Sequence, residues 1–496
     1  VSQLISGTML RDLLLCERRF GLDLFGELGD RDETSPFVRM LWRDGLAHED
    51  EILSGIAEAA TDLRGLDRVD REARTSLAVD HRAPTILGAV LSHDDLIGMP
   101  DVMRLTPTGY VALDVKAGSA LEGPRGAYKA SYLIQVSHYA HLIATTGIGT
   151  GDVAGIIDAR GDETMYDLHL RFGRDRRSGS ERHLDLLAMA RDIIVGGRHT
   201  RGALSSQCGM CDWRSTCRRE LATSDDLTQL AGLGRAIRTT IEPLAPTIAD
   251  LAKLAPGAIG DGPLPGLGRE RLARFAARAR LWKEPASQPV AHRPLRLPNN
   301  PHSIDFDVEA DPMRGIVYLH GFWHERPGCE DEFVHFFAPT IDEEGERQAF
   351  ALAINHFRRH RSAHWFHYSA YERTAYAGLQ RRHPQVCDAD EIDEIFAPER
   401  CTDLYRIVAS DTDWPLSSYG IKSIAKSVGF SWSDLDPSGS NSIEWFDTFA
   451  RTGDTVLRDR IIRYNADDVL ASKHVRRALA ELDGTGRIAG FRRPAP

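Results

Sequence analysis

A chain of 496 residues is too long for one compact core and should divide into two or three domains. Its 42% hydrophobic and 27% charged content is ordinary for globular protein, and no apolar run approaches the roughly 18 residues that suggest a membrane span. A net charge of −11 excludes a protein that coats nucleic acid over its whole surface, but not an enzyme that cages divalent metal with carboxylates and grips phosphates through local basic patches.

In chain order, the start VSQLISGTMLRDLL has no basic stretch followed by an apolar core, so a cytoplasmic location with no membrane partner is expected. Residues 8–27 and 36–60 read as helices, and short strands are expected near 75–91. The stretch MPDVMRLTPTGYVALDVKAG reads as a hairpin about a Pro/Gly turn. Helical spacing follows over 126–145, further strands over 152–172, and a helix near 181–196. An α/β domain over 1–222 is therefore expected. Residues 223–284 read as short helices, and the Pro-rich stretch 285–301 reads as a linker. Beyond it, SIDFDVE, RGIVYLHGFW and DEFVHFFAP look like successive strands, and a long helix is expected near 454–483. These make a second α/β domain over 302–490.

In the hairpin, Asp114 and Lys116 are two apart on one strand and project to the same face, with Asp101 on the partner strand. Two carboxylates and a lysine suit phosphodiester hydrolysis: the acids hold a divalent cation, and the lysine orients water or offsets developing charge. His48 in GLAHEDE is a candidate further ligand. Gln135 and Tyr139, four apart, share a helix face. The ordered set His48, Pro100-Asp101, Asp114-Val115-Lys116 and Gln135-x-x-x-Tyr139 resembles the motif series of RecB-like PD-(D/E)XK nucleases, with a restriction-endonuclease-like core. The resemblance implies that His48, Asp101, Asp114 and the Val115 carbonyl bind Mg2+ or Mn2+, that Lys116 serves the attacking water, and that Gln135 and Tyr139 position substrate.

Cys208, Cys211 and Cys217 lie together, and Cys16 can complete four thiolates. Both a four-thiolate zinc site and a [4Fe–4S] cluster fit this spacing. AddB-type and CRISPR-associated RecB-like enzymes carry one cysteine before the nuclease core and three after it, and that resemblance implies iron–sulfur. Either group would close a loop of about 190 residues, removing roughly 4–5 kcal/mol of unfolded-chain entropy if a disulfide is a fair guide.

In the middle segment, GLGR occurs at Gly232–Arg235 and Gly266–Arg269. The pair reads either as helix–hairpin–helix elements facing DNA phosphate or as ordinary helix ends. Arg271, Arg274, Arg278, Arg280 and Lys283 suggest a basic face beside the second.

Towards the C-terminus, Asp307 and Glu309 alternate on one strand, Glu372 opens a helix, and Tyr464 and Asp468 share a helix face. Four carboxylates could hold two divalent ions, with Tyr464 orienting water. The order resembles the DEDD exonucleases of the RNase H-like superfamily, tyrosine subclass. One departure is that the usual Asn-x-x-x-Phe-Asp motif is here His367-x-x-x-Tyr371-Glu372, whose carboxylate reaches one methylene further.

Together the two modules resemble bacterial RecB-like nucleases with a C-terminal RNase H-like domain. The implied activity is hydrolysis of DNA, at single strands or ends with RNA not excluded, in repair, recombination or processing. The alternative is a nucleic-acid-binding adaptor with decayed sites. No G-x-x-x-x-G-K-[ST] phosphate loop occurs, so any helicase would be a separate partner.

Overall fold

Cys16 ends the first helix rather than lying within it. In a computed structural model describing residues 3–123, 126–173, 175–255, 266–435 and 438–493, Cys16 is extended (φ −159°, ψ 111°) between α1 (Gly7–Leu15) and a second helix, Glu17–Phe25. The expected single helix over 8–27 is thus two. The chain forms two compact units, 1–220 and 221–496.

In the first unit, α2 (Pro36–Ile56) starts on a Ser35 cap with proline at its first position. Residues 75–80, expected as strand, belong to a helix, Arg68–Asp80, whose Asp67 cap accepts from the Val69 and Asp70 amides. Among the described residues, six strands follow a single sheet: β1 (Thr61–Asp62), β2 (Thr85–Leu87), β3 (Val102–Thr106), β4 (Gly109–Val115), β5 (Val153–Ile157) and β6 (Glu163–Asp167). Their order is β6-β5-β4-β3-β2-β1. The β3–β4 pair is the expected hairpin, antiparallel from Val102↔Leu113 to Thr106↔Gly109, while β5 runs parallel to β4. Helix α3 (Ala130–Thr145) packs Leu133, Val136, Ala140 and Ile143 into one core with Ala112 and Ile156, joined by Leu186, Leu187 and Ala190 of α4 (Gly179–Ile194).

The second unit begins with helices, among them α5 (Arg269–Lys283), around a small core of Leu227, Ile241, Leu251 and Phe275. The stretch read as a linker contains a two-residue strand, Val290–Ala291, paired with Thr412–Asp413. Asp413, fully buried, binds Arg274 (3.0 Å), Arg278 (2.6 Å) and His292 (2.7 Å). Arg280 donates to the Ala252 carbonyl and Lys283 pairs with Asp225. The expected basic face is corrected accordingly: four of its five cations have partners within the fold, and two of them, Arg274 and Arg278, are held by the buried Asp413 carboxylate.

The main sheet of this unit comprises β7 (Ser303–Asp311), β8 (Ile316–Glu325), β9 (Glu332–Phe337), β10 (His364–His367) and β11 (Cys401–Asp403), in the order β9-β8-β7-β10-β11. The first three form an antiparallel meander, and β10 and β11 run parallel to β7. Alternation along β7 separates two chemistries. Ile304, Phe306 and Val308 pack with Phe350, Ile354 and Phe357 of α6 (Glu343–Arg359). Asp305, Asp307 and Glu309 face the other way. Further helices are α7 (Tyr371–Arg382), α8 (Ile421–Ser427), α9 (Gly439–Thr452) and α10 (Thr455–Thr485). Among the described residues, no helix is long and apolar enough to cross a membrane.

Candidate active site

The acidic face of β7 meets α10. Asp307 and Glu309 from the strand and Asp468 from the helix each offer a carboxylate oxygen, and these oxygens all lie within 4.8 Å of one another. Asn465, one helical turn before Asp468's neighbour, donates from Nδ2 to Asp307 Oδ2 at 2.9 Å. Gly321, opposite Asp307 in the ladder, makes this possible: a Cβ there would stand 1.8 Å from Asn465 Oδ1. Ser442 of α9 donates to Glu309 Oε2 at 3.0 Å. Burial, reinforced by the neighbouring carboxylates, raises Asp307 and Glu309 well above the ordinary carboxylate range. A cluster of acids held so close needs positive charge, and an all-oxygen donor set suits Mg2+ or Mn2+.

Residues 304–480 match the RNase_H superfamily.

No curated protein matches the chain significantly. Within the RNase H-like domain, Glu372 is not among the three close carboxylates. It opens α7, with Oε2 3.2 Å from His367 Nδ1, and burial raises it to about 8. Its carboxyl also hydrogen-bonds Asp307, whose own rise owes part to it, so Glu372 stands between the acidic cluster and His367. Tyr464 is buried, and its hydroxyl accepts from Lys422 Nζ at 2.7 Å. The same ammonium lies 3.1 and 3.4 Å from the two Asp468 oxygens, and Trp432 Nε1 donates to Asp468 Oδ1 at 2.6 Å. Lys422, on α8, was not singled out by sequence. A lone lysine 46 positions from its carboxylate carries no local signal. Asp305, two residues before Asp307, is buried in an ion pair with Arg476 and holds α10 to the sheet.

In the first unit, the β3–β4 hairpin brings Asp101, Asp114 and Lys116 together. Asp101 Oδ2 accepts the Val115 amide at 2.7 Å, and Lys116 Nζ pairs with Asp114 Oδ2. Burial, then Asp114 and then Glu49 raise Asp101 well above its ordinary value. Burial alone would lower Lys116, but Asp114 and Asp101 outweigh it and keep the ammonium charged.

His48 Nε2 lies 3.3 Å from the Asp158 carbonyl, just past the strand that pairs with Val115, and its helix neighbour Glu49 is raised by burial and by the charge of Asp114. Gln135 and Tyr139 are buried, as is Asp114. Gln135 Nε2 lies 2.9 Å from the Tyr139 hydroxyl and 3.4 Å from Asp114 Oδ1, so the pair backs the carboxylate from within the core.

Cys16, Cys208, Cys211 and Cys217 are all free, part-buried thiols. They share one neighbourhood, since Cys16, Cys211 and Glu220 each raise Cys217, after burial, to about 12. The four do not, however, form one of the groups whose ligand atoms all lie within 4.8 Å among the described residues.

Proposed function

We propose that this chain is a metal-dependent nuclease with two hydrolytic centres, one in the RNase H-like domain and one on the β3–β4 hairpin. The observation that carries the reading is the mutual approach of Asp307, Glu309 and Asp468 on a domain of a nucleic-acid-processing superfamily. When bound, a divalent cation there would polarise the scissile phosphate and acidify water. The chain's own residues set the stage. Asp307, Glu309 and Asp468 supply the cage, Asn465 and Ser442 fix two carboxylates in orientation, and Lys422 presents a positive charge beside Tyr464. Tyr464, raised by burial and by Asp468, stays a protonated donor able to orient water or substrate oxygen.

The hairpin centre is read as a RecB-like PD-(D/E)XK site. Asp101 and Asp114, with Glu49 as the third oxygen donor, would bind the cation, and Lys116 would steady charge on the attacked phosphate. The four cysteines are read as iron–sulfur ligands. Support comes from the one-plus-three spacing, Cys16 ahead of Cys208, Cys211 and Cys217, with a four-thiolate zinc site as the alternative. The substrate is read as DNA single strands or ends, with any helicase acting as a separate chain.

The test is Mn2+- or Mg2+-dependent digestion of single- and double-stranded DNA and RNA by the wild type, Asp114→Ala and Asp307→Ala. Each variant should lose one component of the activity and the double variant all of it. Equal digestion by all three proteins would end the reading. For the cysteines, a brown anaerobic protein with a broad visible band is expected; a colourless one with stoichiometric zinc would reject iron–sulfur.

A further inference from the structure

The second face of the RNase H-like sheet carries a histidine cluster unrelated to the carboxylates. His302 immediately precedes β7, and His324 of β8 pairs across from Ile304, so both lie on the Ile304/Phe306 side, away from Asp307 and Glu309. His356 in the last turn of α6 and His360 at its C-cap, four apart, come down on the same spot. Ring centroids are 4.9 Å apart for His324–His360 and 5.4 Å for His302–His360. One ring nitrogen from each of His302, His324 and His360 lies within 4.8 Å of the others.

The hydrogen bonds fix where the lone pairs are. Arg326 donates from Nε to His302 Nε2 at 3.1 Å, and its terminal nitrogen lies 3.1 Å from His324 Nδ1. A guanidinium has donors and no acceptor, so both imidazole nitrogens must present lone pairs to it. Those two nitrogens are themselves only 3.1 Å apart. The Arg326 guanidinium is the cation that faces both of them here, so the two lone pairs are already aimed at one point. Two nitrogens bound at about 2.0–2.1 Å to a tetrahedral ion stand about 3.3 Å apart, close to the spacing seen. The proton of His324 is then on Nε2, which faces His356 Nε2 at 2.9 Å. That leaves His356 in the position of the outer partner that orients a metal-binding imidazole.

We propose that His302, His324 and His360 bind a transition-metal ion of the zinc class, with His356 positioning His324 and Arg326 holding the site's charge when the ion is absent. The ligand set is all nitrogen, so it selects against the Mg2+ or Mn2+ suited to the carboxylate cluster. The site is structural in character: it would clamp the start of β7 and the end of β8 to the C-terminus of α6. It does not depend on either nuclease centre being active.

The experiment uses the full chain loaded with Zn2+ and freed of loose metal, comparing wild type with the double variant His302→Ala/His360→Ala. Both substituted side chains are partly exposed, and the cysteines are untouched. The wild type should hold one more equivalent of zinc than the variant. In parallel, wild-type protein is modified with diethylpyrocarbonate with and without Zn2+, and His302 and His360 should be protected by the metal. Equal zinc content in the two proteins, or modification of both histidines at the same rate with and without zinc, would overturn the proposal. If the variant fails to fold, the protection measurement on the wild type decides alone.

Discussion

Asn465 Nδ2 reaches Asp307 Oδ2 at 2.9 Å only because residue 321, directly across the ladder from Asp307, has no side chain. An alanine there would collide with the Asn465 amide and push it off the carboxylate. Gly321→Ala should therefore weaken the rear activity by about 10–100-fold, the range typical for losing an outer partner of a metal ligand. Asn465→Ala should give a similar loss. Hairpin-centre activity, measured in an Asp307→Ala background, should not change with either substitution.

Lys422 competes for Asp468 and bonds Tyr464. Replacing it with methionine removes a positive charge beside the acidic cage. The half-saturating Mn2+ concentration of the rear activity should fall, because the cation no longer faces an ammonium. Maximal turnover should nevertheless drop by about tenfold or more, as Tyr464 loses its orientation. A titration of rate against Mn2+ separates the two; unchanged turnover would show that Lys422 is only a counter-charge.

The raised carboxylates set a pH dependence. Glu372 titrates near 4.5 when unfolded and about 8 in the fold, so its proton stabilises the folded state most below 4.5. That contribution is lost as pH rises from 4.5 through about 8, and Asp307 and Glu309 act in the same direction. In chelator the melting temperature should fall across this window. Mg2+ should restore more at the alkaline end than at the acid end. Glu372→Gln should flatten the chelator curve, and a slope identical to wild type would contradict the assignment.

Asp114 and Lys116 are a buried pair in which neither can be removed alone without cost. Asp114→Asn removes the closer of the two charges that offset the Lys116 ammonium, leaving only Asp101, and should destabilise the first unit by about 2–4 kcal/mol. Asp114→Asn/Lys116→Met should recover most of that in chemical denaturation while leaving the hairpin centre inactive. Recovery of stability without recovery of cleavage separates catalysis from folding.

Local pattern alone determined a good deal. The period-two placement of Asp114 and Lys116 put both on one strand face, and the hairpin that carries Asp101 formed where the Pro/Gly turn predicted it. The alternation of Asp307 and Glu309 with Ile304, Phe306 and Val308 likewise announced a strand with one acidic and one apolar face. Such features follow from bond geometry within a few residues.

Tertiary structure decided which polar group faces which. It buried Glu49 where Asp114 raises it, packed Gln135 and Tyr139 against that carboxylate, set Glu372 between Asp307 and His367, and brought Lys422 onto Asp468. It also gathered His302, His324 and His360 from a strand start, a second strand and a helix end. None of this is periodic in sequence, because each contact joins elements whose relative rotation and register are set by burying separate apolar faces, and polar partners meet only once that packing is complete.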